Sequence, residues 1–149
     1  MQRAMPMIDG AAVVAVGTHL AMLLGAGDDI RLQADLAELA LHDPLTGLAN
    51  RRLFKELLEA NLEGARRNGQ LLAVAFLDLN DFKVVNDTYG HEAGDTVLCE
   101  TAHRLRANVR GADNVARIGG DEFVIAYQAS PEDSTHLLDR VDRALAAPI

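Results

Sequence analysis

Asn114-Val115-Ala116-Arg117-Ile118-Gly119-Gly120-Asp121-Glu122-Phe123-Val124-Ile125-Ala126-Tyr127 is the stretch on which the fold turns. Two short runs, Asn114–Ile118 and Phe123–Tyr127, flank a Gly-Gly pair. This pattern predicts a β-hairpin, because a two-residue primed turn needs positive φ at its centre and glycine adopts it freely. Asp121 and Glu122 follow at once. Carboxylates at a tight turn suit a hard cation such as Mg²⁺, which takes a few oxygen ligands and keeps room for phosphate. Taken alone, a solvated acidic hairpin tip is the better reading of the stretch, so the rest of the chain must decide.

Outward from the hairpin, Leu71–Leu77 is a continuous apolar run and predicts a central strand buried on both faces. It ends in Asp78-Leu79-Asn80-Asp81-Phe82-Lys83, and the segment onward to Asp95 is the most polar part of the chain. A helix is expected to resume near Gly94, with Val97, Leu98, Ala102, Leu105 and Val109 inward, and to end at Arg110-Gly111. Before the strand, Asp43–Arg51 reads as a turn, because Pro44 and Gly47 break regular structure. Asn50 can cap a helix whose apolar face is Leu53, Phe54, Leu57, Leu58 and Leu62, stopping at Asn68-Gly69. After the hairpin, Ser130 and Pro131 open a last helix with Leu137, Leu138, Val141 and Leu145 on one face. Helix, strand, helix, hairpin and helix in that order predict an α+β fold, with helices packed on a mainly antiparallel sheet.

Residues 1–40 read as a helical lead-in and residues 41–149 as the globular domain. Val13, Val16, Leu20 and Leu23 recur at helical spacing, and Gly25–Asp29 interrupts them. A second helix, Asp29–Leu41, carries Leu32, Leu36 and Leu39 and could pack on the domain or form a short parallel coiled coil with a second copy. The Ala11–Ala26 run is interrupted and short for a membrane span, and Asp9 with a single upstream arginine argues against a secretory signal. A cytoplasmic location is the expectation.

The 149 residues suffice for one domain with a core; 49% are hydrophobic and 24% charged, an ordinary globular balance. A formal net charge of −8 argues against DNA or RNA as a partner. It leaves a nucleotide substrate open, because a bound cation reverses the local field. Cys99 is the only cysteine, which excludes an internal disulfide, and its apolar neighbours predict a buried, reduced thiol.

Asp78 leaves the end of the central strand, so it could meet Asp121 and Glu122 on one sheet edge. The three carboxylates would then form a cluster for one or two divalent cations, suited to in-line displacement at phosphorus. Lys83, within a turn of Asp78, could offset phosphate charge; by position alone a solvated lysine is the simpler reading. Asn86 and Asp95 could read guanine's N1–H and exocyclic amine, although turns and caps account for many such residues. His91 could contact substrate or simply cap.

Four blocks, Asp43–Arg51, Asp78–Asp95, Arg110–Asp113 and Arg117–Phe123, match in order the motifs of the GGDEF family, the diguanylate cyclases, which the chain resembles from Leu39 onward. The resemblance implies a palm-like sheet of the nucleotide-cyclase type and condensation of two GTP into cyclic di-GMP with loss of pyrophosphate. It implies Mg²⁺ or Mn²⁺ held by Asp78, Asp121 and the Leu79 carbonyl, with Asp121 or Glu122 assisting deprotonation of the ribose 3′-hydroxyl. Lys83 would stabilise the transition state, and Asn86, His91 and Asp95 would hold the nucleotide. Arg110 and Asp113 match the family's Arg-x-x-Asp product-inhibition site. Each domain of the family holds one GTP, so a homodimer is implied, and the lead-in corresponds to a linker from an upstream sensor.

Asn80 stands where the family usually has aspartate. The family also continues beyond the helix Pro131–Ala147 with further strands and a terminal helix. The expectation is therefore an incomplete C-terminus, an unpaired sheet edge and reduced stability and activity. The alternative to an enzyme is a regulatory module that binds cyclic di-GMP or GTP without turnover.

Overall fold

The computed structural model describes residues 11–14, 40–111, 114–129 and 133–149. Its elements are β1 (Ala11–Val14), α1 (Arg51–Asn68), β2 (Leu71–Asp78), α2 (Phe82–Tyr89), α3 (His91–Asn108), β3 (Asn114–Arg117), β4 (Glu122–Ala129) and α4 (Asp133–Ala146). The sheet order is β1-β2-β4-β3, and every neighbouring pair is antiparallel. This is the expected α+β architecture, with β2 central.

Alternation along β2 and β4 makes two cores. Ala75, Leu77, Phe123, Ile125 and Tyr127 face α2, α3 and α4, where Val85, Leu98, Leu105 and Val141 meet them. Val74, Val124 and Ala126 face the other way, onto Phe54 and Leu58 of α1. Fully burying side chains such as Phe123, Ile125 and Leu105 contributes about 1.5–3 kcal/mol each, so the hairpin strand β4 is the best-anchored element. On the α3–α4 side, Arg104 donates to the carbonyls of Ala144, Ala147 and Pro148, closing the C-terminal end of α4, and pairs with Glu100 at 2.8 Å.

Local signals explain the element ends. The Asn50 side chain accepts from Leu53 N at 3.0 Å, the predicted cap of α1. Gly69 ends that helix in the left-handed region at φ 64°, where glycine avoids the Cβ clash.

Several sequence expectations are corrected. Phe82–Tyr89 is helical rather than loop, and α3 starts at His91 rather than near Gly94. Gly119 and Gly120 do not adopt positive φ; among the described glycines only Gly47, Gly69 and Gly90 do. Strands β3 and β4 are joined by the wider Ile118–Asp121 loop, so a two-residue primed turn is not required. Cys99 is exposed, its thiol donating to the Leu45 carbonyl at 3.4 Å, because it lies on the face of α3 turned from the core.

Ala11–Val14, expected in a helix, pairs with β2 from Ala11↔Leu77 to Val14↔Val74. Over those positions the edge of β2 is covered. A short apolar run with two β-branched valines fits either period, so spacing alone could not choose between them. The remainder of the lead-in, including Asp29–Leu39, and the Ser130 and Pro131 cap lie outside the described residues. Among the described residues, no helix is long and apolar enough to cross a membrane.

Candidate active site

The β2–β4 register assembles the site. Asp78, the last residue of β2, is the Cα partner of Glu122, the first of β4. One residue on, Leu79 N donates to the Asp121 carbonyl at 3.1 Å, and across the turn Ile118 N donates to the Glu122 carbonyl at 2.9 Å. Asp78, Asp121 and Glu122 therefore stand together at one end of the sheet. Gly119 relates to space rather than to φ: a Cβ at that position would overlap the Glu122 carboxylate, and that side chain would have to shift.

These acids are poorly compensated. Desolvation at the strand end, then the charge and hydrogen bonding of Asp121 and the charge of Glu122, push the Asp78 pKa above its ordinary value. Among the described residues, no ion pair involves any of the three. Among the described residues, no three His, Cys, Asp or Glu side chains are arranged as a closed cation cage. The set that could hold a cation is two carboxylates and a backbone carbonyl: Asp78, Asp121 and Leu79, whose carbonyl also accepts from Phe82 N at 3.4 Å. All its donors are oxygen and it carries excess negative charge, which fits a hard divalent cation that keeps open positions for phosphate.

Helix α2 opens directly beyond this edge. Its cap, Asp81, sits in the left-handed region at φ 58°, uncommon outside glycine, and its side chain makes no capping bond. An N-terminus without a side-chain cap offers backbone N–H groups and a positive dipole end to an anion. Lys83 is exposed on the first turn. Asn86 follows one turn later, half-buried, its amide lying over Gly94 of α3; a Cβ on Gly94 would overlap its Oδ1. Gly94 precedes Asp95, so the backbone at Asp95 lies near Asn86, with His91 exposed one helical turn before Asp95.

Arg110 is exposed just beyond the end of α3. Asp113 lies outside the described residues, so the Arg-x-x-Asp pair has no described geometry.

Two residues escaped the sequence reading. Arg117 opens the glycine-acid stretch and Asp43 opens the first turn, 74 positions away, yet Arg117 Nη1 donates to both Asp43 carboxylate oxygens at 3.0 and 3.2 Å. The Asp43 carboxylate also accepts from Thr46 N at 2.8 Å and Thr46 Oγ1 at 2.6 Å. Burial opposes ionisation of Asp43, but the Thr46 bonds and Arg117 outweigh it and hold its pKa below the ordinary value. The Asp-x-x-Thr spacing, a local side-chain turn, was the available signal.

A groove of about 690 Å³ opens on the α1 face, floored by Phe54, Leu58, Val74 and Phe76 and rimmed by Arg51, Arg52 and Lys55. It contains none of Asp78, Asp121, Asn86 or Asp95. The oxygen-donor chemistry lies at the sheet end instead.

Residues 40–148 match the sequence model of the family described as "Diguanylate cyclase, GGDEF domain". The chain is 46% identical over 119 residues to the bifunctional diguanylate cyclase/cyclic di-GMP phosphodiesterase MucR of Pseudomonas aeruginosa, covering 79% of this chain and 17% of that protein. It is 45% identical over 118 residues to the diguanylate cyclase TpbB of the same organism, covering 78% of this chain and 27% of that one. It thus spans well under a third of either relative. Among solved structures, a sensory box/GGDEF family protein from Caulobacter crescentus superposes with a TM-score of 0.70 at 42% identity, over 73% of this chain and 72% of that one. The coiled coil and GGDEF domain of Caulobacter crescentus DgcB, in complex with c-di-GMP, gives 0.67 at 30% identity, over 72% and 56%. Motif, sheet register and superposition agree, and the chain belongs to the GGDEF family of diguanylate cyclase domains.

Proposed function

We propose that this domain condenses two GTP molecules into cyclic di-GMP, acting as a homodimer in which each copy presents one GTP to the other. The observation that carries the reading is the meeting of Asp78 and Asp121, under-compensated, beside the uncapped start of α2. Asp78, Asp121 and the Leu79 carbonyl would hold Mg²⁺ or Mn²⁺. When bound, such a cation offsets charge on the phosphates and favours the 3′-oxygen as nucleophile.

The chain's own groups do the rest. The N-terminus of α2 and Lys83 bind the phosphates and stabilise the charge that builds up at phosphorus. Asp121 or Glu122 accepts the ribose 3′-hydroxyl proton as that oxygen attacks the α-phosphorus of the facing GTP and pyrophosphate leaves. A second, reciprocal attack closes the ring. Asn86 and Asp95 read the guanine edge, with His91 at the rim. Arg110, with Asp113, takes the product by forked contact to phosphate and stacking on guanine, which inhibits the cyclase. In a longer protein an upstream sensor would act through the lead-in.

Incubation of the chain with GTP and Mg²⁺ or Mn²⁺, followed by chromatography, tests this. Cyclic di-GMP that is lost in Asp121→Ala supports the enzyme. No product, together with saturable cyclic di-GMP binding lost in Arg110→Ala, supports a non-catalytic regulatory module instead.

A further inference from the structure

Arg117 does more than pair with Asp43. Its Nη2 and Nε donate to the Gly120 carbonyl at 2.8 and 3.2 Å, while Nη1 holds the Asp43 carboxylate. Gly120 immediately precedes Asp121, and the Asp121 carbonyl in turn accepts from Leu79 N. The peptide unit on each side of Asp121 is thus fixed, one by a guanidinium and the other by the end of β2. The base of the guanidinium is fixed as well, since Arg117 N donates to the Ala49 carbonyl at 3.0 Å. Both side chains of the ion pair are only 15% exposed, which shields their attraction from solvent.

The geometry points to Asp43 and Arg117 as positioning residues for Asp121: Asp43 orients the Arg117 fork, the fork grips Gly120, and the grip sets where the Asp121 carboxylate stands. This rests on the cyclase reading above. The Asp43 side chain bonds to Thr46 and Arg117 and to none of the three acids of the sheet end, so its influence passes through Arg117. A guanidinium serves two planar oxygen partners at once, whereas an ammonium is a compact point charge without the fork. Position matters because a displacement of about 1 Å at a reacting group costs on the order of a hundredfold in rate.

Three variants of the full chain test this: Arg117→Lys, Asp43→Asn and the charge exchange Asp43→Arg/Arg117→Asp. Each is assayed below its own unfolding midpoint, and two quantities are read. One is the Mn²⁺ concentration that half-broadens the Leu79 and Asp121 amide resonances without GTP; the other is the rate of cyclic di-GMP formation. The expected result is a rise of about fivefold or more in half-broadening Mn²⁺ and a fall of about tenfold or more in rate for both single variants, scaled from loose positioning. The charge exchange restores an ion pair but leaves no donor for Gly120, so it should recover thermal stability without recovering Mn²⁺ affinity. Recovery of Mn²⁺ affinity in the exchange, or wild-type affinity in Arg117→Lys, overturns the proposal and leaves the pair a structural tie. If the exchange does not fold, Arg117→Lys alone decides by the same criterion. A wild-type chain that binds Mn²⁺ at these amides but makes no cyclic di-GMP contradicts the cyclase reading while leaving the positioning claim to the Mn²⁺ data.

Discussion

Asp43 opens a backbone turn and Asp78 ends β2, both near the same hairpin, and their environments are opposite. Asp43 accepts two bonds from Thr46 and two from Arg117, and its pKa falls. Asp78 faces Asp121 and Glu122 with no cation beside it among the described residues, and its pKa rises. The contrast separates an acid that holds the fold from one that the fold tolerates. A protein has no stability reason to gather like charges at a strand end, so an unsatisfied cluster points to a ligand that satisfies it.

Substitutions at the two aspartates sharpen that contrast, and the largest effect is on activity. Asp78→Asn and Asp121→Asn should each lower cyclic di-GMP formation at least about a hundredfold, the scale for losing a transition-state charge partner, with little change in melting temperature. A mild activity loss with a large fall in melting temperature would reverse the roles assigned to the two regions. Next, Asp43→Asn should cost about 1–2 kcal/mol in denaturant unfolding at neutral pH, the scale for shielded bonds to a charged group. The sign follows from its lowered pKa. Its contribution is present above the unfolded carboxylate pKa and is lost as pH falls through the depressed folded value. Asp43→Asn should therefore flatten the acid limb of the stability curve.

A steric test comes third. Gly94→Ala places a methyl group against Asn86 Oδ1, and the side chain must move. The GTP concentration for half-maximal rate should rise about tenfold, as for one lost recognition bond, while Mn²⁺ binding is unchanged. Smallest is the effect of Asp78→Asn on stability. Its raised pKa contributes stability at low pH that is lost as pH rises through the raised value, and asparagine cannot ionise. Without divalent cation the variant should be more stable than wild type at pH 7, by less than about 1 kcal/mol because solvent screens an exposed carboxylate. Added Mg²⁺ should erase or invert the difference.

Much of this was legible in the sequence. The apolar Leu71–Leu77 run, the paired strands about Gly119-Gly120 and the Asn50 cap each give a local signal stronger than its rivals. Asp78 beside Asp121 followed from a strand end and a hairpin turn. Helix α2 was obscured because Lys83, Asn86, Asp87 and Thr88 resemble a loop; Phe82, Val85 and Tyr89 carried the helical spacing. Gly119 and Gly94 were legible only as glycines. The side chains that a Cβ at each would meet, Glu122 and Asn86, come close only in three dimensions. The Asp43–Arg117 pair lies 74 residues apart, and no periodicity reports such a contact.

The measurement that bears most directly on the account is cyclic di-GMP formation from GTP by the wild-type chain and by Asp121→Ala, each titrated with Mg²⁺. The account predicts product that rises with Mg²⁺ and saturates in the wild type, and a flat baseline in the variant. Product formed without any divalent cation, or undiminished in Asp121→Ala, would contradict it.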